Sequence, residues 1–93
     1  MKFSGRQVAA ARELLGLSQI ALARLVGVAR RTITRFENGE AEIKPATLSQ
    51  IQAELEKRGI EFTNGTGIGI HLNYEKAAEF ARTSGLGQKD ADR

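Results

Sequence analysis

This chain of 93 residues has no cysteine, no tryptophan, one proline and one histidine. Without cysteine, neither a disulfide nor a thiolate metal site can form. The single histidine, His71, falls short of the set of ligands that a zinc site requires. We therefore interpret His71 as an exposed residue of a strand, and we predict neither a bound metal nor a cofactor.

The sequence also lacks the residue patterns of catalysis and of membrane insertion. It contains no recognisable nucleophile–base pair, carboxylate dyad or metal cluster, so we predict no catalytic residues and no enzyme activity. The glycines at 65, 67 and 69 do not follow the order G-x-G-x-x-G, which indicates turns rather than a phosphate-binding loop. No signal-peptide pattern or apolar run of spanning length occurs. We expect a cytoplasmic protein without a membrane partner.

Positive charge is concentrated in the first 36 residues. Residues 1–36 contain seven basic residues and one acidic residue, whereas residues 37–93 contain seven basic and ten acidic residues. The net charge of +3 therefore conceals a strongly positive N-terminal part. Such a distribution favours phosphate contacts by that part of the chain. The length is typical of one small domain with a modest core.

Hydrophobic spacing and capping residues predict four helices in the first 59 residues. Ser4 with Gln7 three positions later has the spacing of a capping box. Ser18 can cap the second helix, and Gly27 ends it where a positive φ is needed. Pro45 suits the first turn of the fourth helix. The four helices are expected at residues 4–15, 19–26, 30–37 and 45–58.

The second and third predicted helices each have an apolar inner face. Ala23 is small where the two helices should cross, and Ile33 and Phe36 face inward from the third helix. An ordinary solvated surface helix would also separate apolar from cationic residues, but the spacing of Ala23, Gly27, Ile33 and Phe36 favours a packed helix pair. The outward face of the third helix carries Arg30, Arg31, Thr32, Thr34 and Arg35.

After Gly59 the hydrophobic period changes from helical to alternating. Residues 60–63 and 68–72 are predicted to be two antiparallel strands joined by the hairpin signal Asn64-Gly65. A lone hairpin is marginally stable and leaves open edges, so we expect its apolar face on the fourth helix and one edge paired with a second copy. The residues predicted for this dimer interface are Ile60, Phe62, Ile68, Ile70 and Leu72.

The C-terminal part is predicted to contain one short helix. Residues 74–83 have helical character, Asn73 is a suitable cap, and the polar stretch from Ser84 onward is expected to be disordered. This interpretation divides the chain into a four-helix domain at 1–59, a dimerisation hairpin at 60–73, and a helix with a disordered tail at 74–93.

Four segments of the chain resemble the helix-turn-helix family of the lambdoid phage repressors and Cro, also called the XRE family. They are LGLSQ (15–19), LARLVGV (22–28), RRTITRFENG (30–39) and ATLSQIQAEL (46–55). The resemblance covers roughly residues 5 to 59 and implies a third helix that reads base edges. The expected fold class is mainly α, a compact four-helix, lambda-repressor-like helix-turn-helix domain followed by a short β-hairpin.

The resemblance also implies roles for individual residues. Gln19 matches a residue that touches a phosphate and braces the recognition helix, and Arg12 and Glu37 match a partly buried ion pair. Ile20 and Leu25 are apolar where relatives often carry polar residues. The residues implied to read bases are Arg30, Arg31, Thr32 and Arg35. Those expected at the DNA backbone are Gln19, Thr34, Asn38, Gly39 and Lys44.

Three residues depart from the family pattern. Ala29 stands at the cap of the recognition helix, where relatives usually carry Ser, Thr or another capping residue. Glu40 and Glu42 stand in the following loop, where many relatives offer cations. The two glutamates either point away from DNA or weaken its binding.

These observations favour a sequence-specific, DNA-binding transcriptional regulator, repressor-like and of bacterial or phage origin. It would read the major groove as a homodimer on a palindromic double-stranded DNA operator. The alternative is a protein-interaction module of the same fold, such as an antitoxin or antiactivator, whose partner is another protein.

Overall fold

The part of the chain described by the computed structural model, residues 3–63 and 66–84, contains five helices and one two-stranded sheet. The predicted fold class, a mainly helical helix-turn-helix domain followed by a hairpin, is confirmed. None of the described helices has the length and apolar character needed to cross a bilayer. In chain order the elements are α1 Gly5–Leu15, α2 Gln19–Val26, α3 Arg30–Glu37, α4 Pro45–Lys57, β1 Ile60–Thr63, β2 Gly69–Leu72 and α5 Tyr74–Ser84.

The helix boundaries follow the local capping chemistry. The Ser4 hydroxyl accepts from the Gln7 amide at 3.2 Å, and the Gln7 side-chain oxygen accepts from the Ser4 amide at 2.9 Å. This reciprocal pair is the predicted capping box. Ser18 caps α2 through a 2.9 Å bond from the Ala21 amide. Ala29 provides no side-chain cap for α3, because a methyl group cannot accept a hydrogen bond.

The core lies between the four N-terminal helices and the inner face of the hairpin. Ala23 is buried where α2 packs on α3, in agreement with the prediction that a small residue is needed at this crossing. The hairpin belongs to the same core rather than to a separate one, because Ile60 is only 1% exposed. The largest fully buried side chains are Val8, Leu22, Ile33, Ile51, Leu55 and Ile60.

The two strands pair in antiparallel register, with Ile60 opposite Leu72 and Phe62 opposite Ile70. All four side chains therefore share one face, which packs on the helical core. The Phe62 ring stacks on Phe3 with 4.3 Å between centroids. β2 begins at Gly69, one residue later than predicted, and the predicted Asn64-Gly65 turn lies outside the described residues.

The Gln7 side chain joins α1 to the turn end of the hairpin, where β1 ends and β2 begins. Its amide nitrogen donates to the Thr63 carbonyl at 3.3 Å and to the Gly69 carbonyl at 3.0 Å. Thr63 and Gly69 are partners in the strand register, so a single amide holds both strands. Gln7 is buried, and its loss would leave two carbonyl groups without this donor.

Helix α5 lies on the outside of this unit. The Asn73 side chain caps it by accepting from the Lys76 amide at 3.0 Å, as predicted. The Arg58 guanidinium lies 4.7 Å from the centre of the Phe80 ring and joins α4 to α5. The helix includes Ser84, which was predicted to belong to the disordered tail; the rest of that predicted tail, 85–93, lies outside the described residues.

Candidate nucleic-acid interface

Helix α3 turns Ile33 into the core and its arginines outward. Arg30, Arg31 and Arg35 are exposed, whereas Thr32 is half-buried. Arg31 forms no hydrogen bond or ion pair with any described residue, so its guanidinium is available to a ligand. The structure thus places the four residues that were expected to read bases on one short helix, beside the helix that precedes it.

Gln19, the first residue of α2, connects that helix to α3 through three hydrogen bonds. Its side-chain oxygen accepts from Thr34 Oγ1 at 3.1 Å and from Arg30 Nε at 3.3 Å. Its nitrogen donates to Glu37 Oε1 at 2.9 Å. This pattern braces the recognition helix, the role that the family resemblance implied for Gln19.

Thr34, one of the residues expected at the DNA backbone, also takes part in this brace. Its hydroxyl donates to Gln19 and also lies 3.2 Å from the Arg30 carbonyl, one turn earlier in the same helix. The side chain is half-buried between the two helices. Thr34 therefore contributes to the brace, a role that sequence reasoning missed because it depends on how α2 and α3 cross.

Arg12 and Glu37 form a bidentate ion pair between α1 and the end of α3. Arg12 Nε lies 2.7 Å from Glu37 Oε2, and Arg12 Nη2 lies 2.9 Å from Glu37 Oε1. Arg12 Nη1 also donates to the Leu17 carbonyl at 3.0 Å. Both residues are 9% exposed. The hydrogen bond with Glu37 raises the pKa of the Arg12 guanidinium above its ordinary value.

The brace and the ion pair meet at Glu37, which accepts from both Arg12 and Gln19. A continuous set of hydrogen bonds therefore runs from α1 to the start of the recognition helix. A shallow concavity lies beside it, between the starts of α2 and α3. Cationic groups and a helix N-terminus meet there, which suits an anion such as a phosphate. Its lining residues are Arg12, Ser18, Gln19, Ile20 and Arg30.

The loop after α3 contains the remaining residues expected at the DNA backbone. Gly39 adopts a φ of 76°, which glycine accommodates without strain. Asn38 and Lys44 are exposed, and Lys44 immediately precedes α4. Of the two glutamates in this loop, Glu40 lies 3.9 Å from Arg35 (Oε1 to Nε), whereas Glu42 forms no ion pair with the described residues.

The residues predicted for a dimer interface fall into three groups by burial. Ile60 is buried inside its own subunit and cannot contact a partner through its side chain, so we remove it from the set. Phe62, Ile70 and Leu72 are half-buried against the same core. Ile68, by contrast, is 62% exposed. His71 lies on the outer face of the hairpin, exposed as predicted, 3.9 Å from Glu61 (Nε2 to Oε1).

Comparison with known proteins identifies the family of the chain. A family model described as helix-turn-helix matches residues 8–62, more than half of the chain. The chain belongs to the Cro/repressor-type (XRE) helix-turn-helix family. This family is one of DNA-binding domains, and its match makes the protein a DNA-binding regulator of the XRE kind. No curated protein matches the chain.

Proposed function

We propose that the protein is a sequence-specific transcriptional regulator, repressor-like, that reads the major groove of DNA as a homodimer. The observation that carries this proposal is the set of outward arginines on α3, braced from behind by Gln19. A helix held in this way can enter the major groove, where arginine binds the N7 and O6 acceptors of guanine. Arg31 and Arg35 are the strongest candidates for that contact, and Thr32 can meet a thymine methyl group.

Arg30 combines two tasks in this proposal. The hydrogen bond from Arg30 Nε to Gln19 fixes the orientation of the Arg30 side chain. The remaining guanidinium nitrogens stay available for a base or phosphate. The residues proposed to contact the backbone and to set the register of the helix on the duplex are Gln19, Thr34, Asn38, Gly39 and Lys44. The operator would be palindromic, matching the two-fold symmetry of the dimer.

The direct test starts with selection of bound sequences from a random DNA pool. Arg31→Ala should then cost about 1–3 kcal/mol on the selected site and relax base choice at one position. Lys44→Ala should weaken binding to all sequences alike and reduce the salt slope by about one. Arg82→Ala, which removes the same charge from α5, is the matched control and should leave affinity unchanged. Uniform loss in both Arg31→Ala and Lys44→Ala would contradict the assignment of base-reading roles.

Dimerisation through the hairpin is the second part of the proposal. Exposed Ile68 immediately precedes β2, and the half-buried apolar residues Ile70 and Leu72 lie on β2, an edge strand within the described sheet. Pairing of this edge with its copy would satisfy backbone groups and set two recognition helices about one helical turn, roughly 34 Å, apart.

Sedimentation and DNA binding can test this arrangement with one pair of variants. Ile68→Glu should convert the protein to a monomer and weaken binding to the full operator more than to a half-site. Leu14→Glu changes an exposed apolar residue of α1 and should leave the dimer intact. A wild-type protein that remains monomeric at tens of micromolar would contradict the dimer.

The alternative, a partner-binding module such as an antitoxin or antiactivator, is supported by the exposed apolar residues Ile20 and Leu25. They lie about 140° apart around α2, because each helical residue turns by about 100°. Two such separated side chains offer less continuous surface than the arginine face of α3. Co-purification with the product of a neighbouring gene, lost in Leu25→Glu but retained in Arg31→Ala, would favour this alternative.

A further inference from the structure

Three helices of this domain end in the same backbone motif, but the third closes it with a charge. After α1, α2 and α3, a glycine with a φ of 70°, 73° or 76° follows the helix. The next residue then donates its amide to a carbonyl five positions earlier, at 2.9, 3.0 and 2.8 Å. This is the Schellman motif, in which the residue after the glycine usually makes an apolar contact with the helix.

Leu17 and Val28 occupy that position after α1 and α2, and both pack against the core. After α3 the position is occupied by Glu40, whose amide donates to the Arg35 carbonyl. The motif therefore fixes the backbone of Glu40 next to Arg35. Its carboxylate oxygen Oε1 lies 3.9 Å from Arg35 Nε, and the side chains are 58% and 47% exposed.

We propose that Glu40 is a specificity-determining residue that acts on Arg35; this rests on the proposed function, since it assumes that α3 binds DNA. Glu40 offers the Arg35 guanidinium a partner within its own chain and places a negative charge where phosphates approach. A phosphate contact, which any sequence supplies, must compete with Glu40 for Arg35. Guanine offers arginine a bidentate pair of hydrogen bonds, which is stronger than such an exposed ion pair. The pair thus weakens non-specific binding more than binding to the preferred site.

The experiment compares Glu40→Gln with the wild type on two duplexes, one of random sequence and one carrying the selected site. The random duplex should bind about two- to fivefold more tightly, because an exposed ion pair of this kind is lost. The slope of log K against log salt should become steeper by about one, as Arg35 becomes free to neutralise a phosphate. Affinity for the selected site should change less, so that the ratio between the two duplexes falls.

Glu42→Gln is the matched control, because it removes the same charge from the same loop without breaking an ion pair. Its effect on the random duplex should be smaller than that of Glu40→Gln. In an Arg35→Ala background, Glu40→Gln should have no more effect than Glu42→Gln. Equal effects of the two glutamine variants, or an effect of Glu40→Gln that persists without Arg35, would overturn the proposal.

This outcome is separable from failure of the proposed function. If the wild type binds no duplex even at low salt, DNA reading by α3 and the role of Glu40 both fail. If the wild type binds and selects a sequence but Glu40→Gln leaves the ratio between duplexes unchanged, only the role of Glu40 fails. Thermal melting of each variant checks that the exposed substitutions leave the fold intact.

Discussion

The helix-turn-helix half and the C-terminal helix of this protein are held by different kinds of contact. Helices α1 to α4 share an apolar core, and a buried ion pair ties α1 to α3. Helix α5 has no buried residue among those described and is joined to α4 by a half-buried guanidinium–ring contact. The hairpin is intermediate between these two in how it is held. Its inner face is apolar, and the buried Gln7 amide, here called the hairpin clamp, donates to both strands. Stability should therefore be highest in α1–α4 and lowest in α5.

The largest effect is expected from breaking the buried ion pair. Arg12→Ala leaves the Glu37 carboxylate without its bidentate partner and should lower the free energy of unfolding by about 3–5 kcal/mol. Urea denaturation measures the loss, and Arg6→Ala, on the exposed side of α1, is the control. A replacement of both partners by apolar residues should recover part of the stability. Equal stability of Arg12→Ala and Arg6→Ala would show that the pair contributes nothing.

A smaller loss should separate the hairpin from the helices. Gln7→Ala removes one of the two capping-box bonds, the one from the Ser4 amide, together with the donor to two strand carbonyls, and should cost about 1–3 kcal/mol. Ser4→Ala removes only the other capping-box bond, the one from the Gln7 amide, and should cost about 1 kcal/mol. The difference between the two denaturation midpoints measures the hairpin clamp. If the two variants lose the same stability, Gln7 acts through the cap alone.

Helix α5 should tolerate substitution better than either of these sites. Phe80→Ala removes the contact with Arg58 and should cost about 0.5–1 kcal/mol. Tyr74, which is 81% exposed, provides the control, and Tyr74→Ala should stay within about 0.5 kcal/mol of the wild type. Hydrogen exchange should show α5 amides opening before those of α1–α4. Simultaneous opening of all five helices would contradict the lower stability expected of α5.

The smallest effect concerns pH and the junction between the hairpin and α5. Hydrogen bonds from Lys76 and then Asn73 lower the pKa of Glu61 below its ordinary 4.5. The stabilisation is therefore present above pH 4.5 and is lost as the pH falls through the lower folded-state pKa. The stability difference between wild type and Glu61→Gln should shrink on acidification. A stability difference that stays constant on acidification would contradict this account.

Much of the fold could be predicted because its signals are local. Caps such as Ser4 and Ser18 act within three residues, and Gly27 marks a turn by its own backbone freedom. The second task of Gln7 could not be predicted, since its acceptors are backbone carbonyls 56 and 62 positions away that leave no trace in side-chain identity. The arginine face of α3 was readable from its period. The brace at Thr34 was not, because it depends on the crossing of two helices.

Glu40 illustrates an intermediate case. Its departure from the family pattern was visible in the sequence, but its partner was not. The turn at Asn38-Gly39 contains enough information to place residue 40 beside residue 35, once the hydrogen bonds of the helix end are considered. A charged residue at that position could therefore have been paired with Arg35 from sequence alone. The apolar equivalents, Leu17 and Val28, would have supplied the comparison.

Helix α1 carries both Gln7 and Arg12, five residues and about 7.5 Å apart along its axis. One holds the hairpin and the other holds the end of the recognition helix. If the hairpin joins two copies as proposed, α1 connects the dimer contact to the recognition helix. It therefore helps to set the distance between the two-fold axis and each recognition helix. A helix that reads no base would then decide how far apart two operator half-sites must lie.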